Sequence, residues 1–125
     1  MTGPSKEDRR GDALRSADMI ETAVLLETLS AKGEAAFHAD PFLQAAAVRY
    51  LEIIGDAGGK VSLSTRKRYP EVPWSRMRGF ANLAKHECWR VNVVRVWSSV
   101  RSIPPIRRSL SAVRVDATGV DLLRE

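Results

Sequence analysis

The stretch DPFLQAAAVRYLEIIGDAGGKV, residues 40–61, decides the fold class. Its apolar residues recur at steps of three and four, the spacing of one face of an α-helix, and they are Leu43, Ala47, Tyr50, Ile54, Ala57 and Val61. Asp40 and Pro41 predict the helix start, because the carboxylate can accept a hydrogen bond from an unpaired amide and proline tolerates the first turn. The stretch therefore predicts one long helix.

Three glycines, Gly55, Gly58 and Gly59, lie inside this predicted helix. Each costs about 1 kcal/mol relative to alanine when exposed. We therefore expect another backbone to come close here, from a helix of the same chain or of a dimer partner. A phosphate-binding loop is a poor alternative, because the glycines do not follow a strand.

Apolar residues at helical spacing predict further helices on both sides, while strand alternation is nearly absent. Their core-facing positions are Ala13, Ala17, Ile20 and Val24 in the first helix; Met77, Phe80, Ala84 and Cys88 in the next; and Val93, Val96, Trp97 and Val100 in the last. The segment RYPEVPW is expected to end the central helix, Pro73 to open the next, Asn92 to cap the last, and Pro104 and Pro105 to stop it. We predict an all-α fold, an antiparallel bundle of four to five helices.

The 125 residues are enough for one domain. We expect a flexible N-terminus over residues 1–10, a helical domain over residues 11–110, and a weakly periodic tail over residues 111–125. Cys88 is the only cysteine, which excludes an intrachain disulfide. The sequence has neither an apolar run of about 18 residues nor an apolar leader, so a cytoplasmic protein is expected.

The formal net charge is +5, which favours phosphate backbones or an acidic partner. The basic residues form local clusters at residues 66–69 and 106–109. A solvated face explains such clusters more simply than a binding site does. A basic DNA-binding surface ranks last, because no helix-turn-helix pattern accompanies the charge.

His86 is the natural candidate for proton transfer, because imidazole titrates near physiological pH. Asn82 lies one turn earlier and could orient the ring or bind a phosphate. Arg78 and Lys85 are seven residues apart, so they share a helix face and could hold phosphate charge. The alternative is an ordinary helix end, with the histidine against the negative end of the helix dipole.

The other candidates have simpler interpretations. His38 has no polar group of residues around it and is expected at the surface. Glu52 and Asp56 are one turn apart, but no histidine accompanies them, so they are expected to face solvent or a dimer partner rather than a metal. Packing explains the three tryptophans better than base stacking does: Trp74, Trp89 and Trp97.

Four segments in order resemble the HepT-like ribonuclease toxins, all-helical members of the HEPN superfamily, over about residues 12–110. They are DALRSADMIETA, AAFHADPFLQAAAVRYLEIIGDAG, YPEVPWSRMRGFANLAKHE and VWSSVRSIPPIR. The resemblance implies a homodimer whose catalytic motifs meet over a basic cleft for RNA, and RNA cleavage without metal or cofactor. It also implies an antitoxin partner, an MntA-type nucleotidyltransferase that transfers AMP to a motif tyrosine.

The family motif reads arginine, four residues, histidine, one residue, tyrosine, usually with a polar residue after the arginine. His86 and Asn82 match it, whereas Ala81 and Cys88 stand at the arginine and tyrosine positions. A guanidinium suits the charge that builds on the phosphate oxygens, and alanine offers none.

Three explanations of these departures stay open. Ala81 could be engineered, Arg78 or Lys85 could replace the missing arginine, or the chain could be a degenerate relative. The resemblance thus predicts a toxin with endoribonuclease activity that is weakened at Ala81 and Cys88. The alternative is a non-catalytic HEPN dimer that binds RNA or a nucleotidyltransferase.

Overall fold

The structure, a computed structural model, describes residues 6–86, 89–90 and 92–116. Within these residues the chain forms seven helices and no strand: α1 Lys6–Ser30, α2 Glu34–Ala39, α3 Pro41–Lys60, α4 Leu63–Arg68, α5 Trp74–His86, α6 Val93–Arg101 and α7 Ile103–Asp116. The all-α prediction is confirmed. The predicted bundle of four to five helices corresponds to the five longer helices α1, α3, α5, α6 and α7, while α2 and α4 are short helices of six residues in the connections.

The long helices pack side by side in opposite directions. Ser62, just after α3, contacts Asp12 in α1, and Arg107 in α7 contacts Glu27 in α1. Between α3 and α5, Gly58 lies beside Met77, and Asp56 pairs with Lys85. The first two contacts join a residue near the end of one helix to a residue near the start of the other. Between α3 and α5, the contact moves forward from Met77 to Lys85 as it moves back from Gly58 to Asp56. The predicted antiparallel bundle is therefore confirmed.

Helix α3 lies at the centre of the bundle and packs against both α1 and α5. Asp40 caps it as predicted, accepting a hydrogen bond from the backbone N–H of Phe42 at 2.9 Å. A Cβ placed on Gly55 would lie 2.7 Å from both Met77 O and Ala81 N. The predicted approach of another backbone is thus confirmed at Gly55, within the chain. At Gly59 a Cβ would meet no described atom within 4 Å, so no described part of this chain approaches there, and approach by a dimer partner stays a prediction.

The core side of α1 differs from the prediction. Val24 is 46% exposed, and Ala17 and Ile20 are only half-buried. The buried positions are Asp12, Ala13, Ser16, Met19, Thr22, Ala23, Leu26 and Leu29. Helix α1 packs against α3 on one side and α7 on the other, so its buried face is centred between these two neighbours rather than on one apolar stripe.

Helix α3 ends before the segment RYPEVPW, contrary to the prediction, and Ser62 begins α4 by accepting a hydrogen bond from the N–H of Thr65. Asp12 is buried beneath this turn. The N–H of Ser62 donates to the Asp12 carboxylate at 2.9 Å, and the hydroxyls of Ser62 and Thr65 donate to it at 2.6 and 2.5 Å. These hydrogen bonds tie the α3–α4 connection to α1.

The two prolines do not end the helical region. Helix α6 ends at Arg101, and Pro104 and Pro105 lie in the first turn of α7, where proline's missing N–H leaves no hydrogen bond unmade. Leu110 and Val113 of α7 are fully buried, and the boundary predicted at residue 110 falls inside this helix. Asn92 precedes α6 as predicted, but its side chain makes no capping hydrogen bond.

The buried face of α6 is as predicted, with Val96, Trp97 and Val100 in the core. Trp97 packs against Phe37 of α2, with 5.0 Å between the ring centroids. None of the described helices has both the length and the apolar character needed to cross a membrane.

Candidate functional site

Helix α5 carries the candidate site on its exposed side. The indole Nε1 of Trp74 donates to the carbonyl of Tyr69 at 3.0 Å, which anchors the first turn. Met77 and Phe80 are buried on the opposite side and hold the helix against the core. The site is therefore carried on a well-packed helix rather than on a loop.

The predicted residues Arg78, Asn82 and Lys85 are all exposed on α5. Their spacing of four and three places them on one helix face, so the structure brings them together as expected. His86 is the last residue of α5, one turn after Asn82. The side chain of His86 and the whole of Cys88 lie outside the described part of the chain, and their predicted roles stay predictions.

Lys85 forms an ion pair with a carboxylate that the sequence suggested would face solvent or a partner. Its Nζ lies 3.1 Å from Oδ1 of Asp56 on α3, and the two side chains are 49% and 42% exposed. An exposed pair of this kind is worth about 0.2–1 kcal/mol. A phosphate could therefore compete with Asp56 for Lys85.

Ala81 does not lie on the exposed face. It is 6% exposed and packs against Gly55 of α3, where the two helices come closest. The arginine position of the family motif is therefore occupied by a small side chain inside a helix contact. Arg78 and Lys85 supply the positive charge that this part of α5 presents.

A groove between α5 and α6 was not predicted from the sequence. It consists of two depressions of about 460 and 340 Å³ that share Arg76 and Ser98. The larger is also lined by Val94, Trp97, Arg101, Ser102 and Pro105, and the smaller by Gly79, Phe80, Leu83, Arg95 and Ser99. We call this the α5/α6 groove. The stretch VWSSVR, in which serines and an arginine alternate with core residues, was the signal available in the sequence.

The remaining candidates lie as expected. His38 is exposed, with its Nε2 3.7 Å from a carboxylate oxygen of Glu34. Glu52 pairs with Arg49 at 2.8 Å on the surface of α3. The three tryptophans all pack against the core. In the described part of the chain, no three His, Cys, Asp or Glu side chains are grouped as metal ligands.

Residues 19–113 match the family model "Ribonuclease HepT-like". The chain belongs to the HepT-like ribonuclease family, and the resemblance read from its sequence is confirmed. No solved structure matches it.

Three relatives illustrate the similarity. A Methanocaldococcus jannaschii protein named as a candidate RNase is 32% identical over 69 residues, 54% of this chain and 63% of the relative. A candidate RNase of Caldanaerobacter subterraneus subsp. tengcongensis is 30% identical over 74% of this chain and 84% of its own length. A protein of Thermococcus cleftensis named as a candidate ribonuclease HepT is 30% identical, over 62% and 72%. The chain thus spans somewhat less than two thirds of the first of these relatives.

Proposed function

We propose that this chain is an endoribonuclease of the HepT type, acting without metal as the toxin of a pair with an MntA-type nucleotidyltransferase. Membership of the HepT-like ribonuclease family supports this proposal. The observation that carries it is the end of α5, where His86 follows the exposed Asn82 by one turn, with Arg78 on the same face as Asn82. The active form is a homodimer in which two such helix ends face one RNA strand.

The reaction is an internal transesterification. The imidazole of His86 removes the proton of a 2′-hydroxyl, and that oxygen attacks the adjacent phosphorus. The bond from phosphorus to the 5′-oxygen breaks, and the His86 of the partner subunit gives a proton to this leaving oxygen. The products are a 2′,3′-cyclic phosphate and a 5′-hydroxyl. Asn82 orients the imidazole or binds a phosphate oxygen.

Negative charge on the non-bridging oxygens is stabilised by Arg78 and Lys85. The absent guanidinium at Ala81 makes this a slow enzyme, because losing one such donor typically lowers the rate by about two to three orders of magnitude. Lys85 contributes only when it leaves Asp56. AMP transfer onto residue 88 has no acceptor here, since Cys88 lacks a phenolic hydroxyl.

Cleavage of a labelled RNA by the chain and by its His86→Ala variant tests the proposal. The variant is expected to lose about 10²–10⁴-fold in rate, the usual contribution of a general acid–base group. His38→Ala is the matched control, because His38 is exposed and lies on α2, away from the α5 face. Equal cleavage by the wild type and the His86 variant would refute the nuclease proposal.

A second function is favoured by the surroundings of Ala81. The arginine position is packed against Gly55, and the nearby Lys85 is paired with Asp56. These features fit a non-catalytic HEPN dimer that binds a nucleotidyltransferase. This alternative predicts a stable complex with the partner, no slowing of growth on expression of the chain alone, and no cleavage by wild type or by Ala81→Arg.

A further inference from the structure

We propose that the α5/α6 groove holds the phosphodiester backbone of an RNA strand, with Arg76 and Arg101 on the phosphates and Gly79 at the closest approach. The choice of RNA as ligand rests on the proposed function. The test, however, measures binding separately from cleavage.

Two arginines of the groove, Arg76 and Arg101, carry positive charge that no described residue neutralises. Arg76 lines both depressions, and Arg101 lines the larger one. Both are exposed, and neither makes a hydrogen bond or ion pair within the described residues. Among the residues that the structure describes, no carboxylate lines either depression. A planar guanidinium can donate two parallel hydrogen bonds to a phosphate, so these side chains suit a phosphate ligand.

The other lining residues suit a strand better than a single small anion. The two depressions adjoin through Arg76 and Ser98, so the groove is elongated. Ser98 adds an exposed hydroxyl along it. The hydroxyls of Ser99 and Ser102 donate to the carbonyls of Arg95 and Ser99, so they offer a ligand only acceptor oxygens. Val94, 74% exposed at the larger depression, offers an apolar surface to a base. Positive charge that follows the phosphate backbone along a groove is one of the usual means of binding single-stranded nucleic acid.

The exposed glycine Gly79 supports the groove proposal independently of the arginines. It lies inside α5, is exposed and lines the smaller depression. A Cβ at this position would meet no described atom within 4 Å, in contrast to Gly55. Packing within the described chain therefore gives no reason for glycine here, although glycine weakens a helix. Close approach of a ligand to the α5 backbone does give a reason.

The groove also leads to the candidate catalytic face. Gly79 is followed by Asn82 after three residues and by His86 after seven, so the three positions share a side of α5. A strand that passes Gly79 is therefore directed along the helix towards its C-terminal end. Binding in the groove would position the RNA for cleavage there.

Fluorescence anisotropy with a 2′-O-methyl oligoribonucleotide of about 12 nucleotides measures binding without cleavage, since the attacking hydroxyl is blocked. Arg76→Gln and Arg101→Gln are each expected to weaken binding about fivefold at about 0.1 M salt, and to reduce the slope of log affinity against log salt by about 0.7. Arg68→Gln is the charge-matched control, because Arg68 is exposed on α4 and lines neither depression.

Equal losses in the two groove variants and in Arg68→Gln would overturn the proposal, since they would indicate diffuse attraction to a basic surface. Unchanged RNA binding with lost binding of an acidic protein partner would also overturn it. Cleavage of unmodified RNA is assayed in parallel. A wild type that binds in the groove but never cleaves refutes the nuclease proposal and leaves the groove proposal intact.

The glycine gives a second test that does not depend on charge. Gly79→Ala is expected to raise the melting temperature, because alanine favours the helix, and yet to weaken RNA binding severalfold. Gly59→Ala is the control, since a Cβ there is equally uncrowded but lies outside the groove. It should raise the melting temperature without changing the affinity. A stabilised Gly79→Ala variant with wild-type affinity would contradict close approach at this position.

Discussion

The two sides of α5 differ in how closely they are approached, and each side has its own small residues. Towards α3, Gly55 and Ala81 let the two backbones come so close that a Cβ on Gly55 would lie 2.7 Å from backbone atoms. Towards α6, Gly79 faces open space beside Arg76. We call the side towards α3 the closed side, where the small residues serve packing. We call the side towards α6 the open side, where Gly79 leaves room for the proposed ligand.

This difference changes how the family motif is understood. Ala81 belongs to the closed side and Asn82 to the open side, although they are adjacent in sequence. An arginine at position 81 would therefore change a helix contact as well as the charge available to the proposed RNA ligand. The variants below test each side in turn, in order of expected effect.

The largest effect is expected from Gly55→Ala. The new Cβ would lie within 3 Å of backbone atoms of α5, which cannot move aside as a flexible side chain could. We expect a loss of about 2 kcal/mol in the free energy of unfolding, as for overpacked cores. Denaturant unfolding measures this, with Gly59→Ala as a control that should gain up to about 1 kcal/mol. Equal stability of the two variants would show that the α3–α5 contact is looser than described.

Ala81→Arg is the next largest. The arginine side chain starts from a position that is 6% exposed and packed against Gly55, so it must push the two helices apart or bend out to the surface. We therefore expect a loss of about 1–2 kcal/mol in the free energy of unfolding. If the guanidinium reaches the open face, RNA cleavage should rise despite this loss. Asn82→Arg, one residue further on, serves as the stability control because its side chain is exposed. If the Ala81→Arg protein were as stable as the Asn82→Arg protein, position 81 would not be packed against α3 as described.

The sequence predicted correctly the features that depend on residues close together in the sequence, and it failed for α1, where packing between helices decides the outcome. Asp40 caps α3 as its place before Pro41 indicated, and the glycine argument was correct at Gly55. The buried face of α1 was misjudged at Val24, because the packing of α1 between two helices decides it. Helix α4, LSTRKR, has no apolar periodicity to reveal it.

The candidate site was predictable in part for the same reason. Arg78, Asn82 and Lys85 lie within one helix, so their spacing alone placed them on one face. Arg76 and Arg101 line one groove from helices distant in sequence, and only the folded chain brings them together. The ion pair of Lys85 with Asp56 likewise joins residues of different helices.

A smaller effect on stability is expected from Gly79→Ala, on the open side. The change should raise the free energy of unfolding by about 0.5–1 kcal/mol, because alanine is the better helix former and the added methyl meets no described atom. Denaturant unfolding measures it, alongside Gly55→Ala. If the free energy of unfolding falls in Gly55→Ala and rises in Gly79→Ala, the difference between the closed and the open side is confirmed directly. A loss of stability in Gly79→Ala would mean that this side is also packed.

The smallest effect on stability, with a separate effect on binding, is expected from Asp56→Asn. The substitution removes the carboxylate that holds Lys85, and since both side chains are about half exposed, it should cost only about 0.5 kcal/mol of stability. Lys85 then becomes available to a phosphate, and RNA affinity should rise about fivefold at about 0.1 M salt, as expected for one more released counterion. Glu52→Gln is the matched control, because it also removes one negative charge from α3 but releases Arg49 instead. If both variants raise the affinity equally, net charge alone explains the gain, and Lys85 has no special position near the RNA.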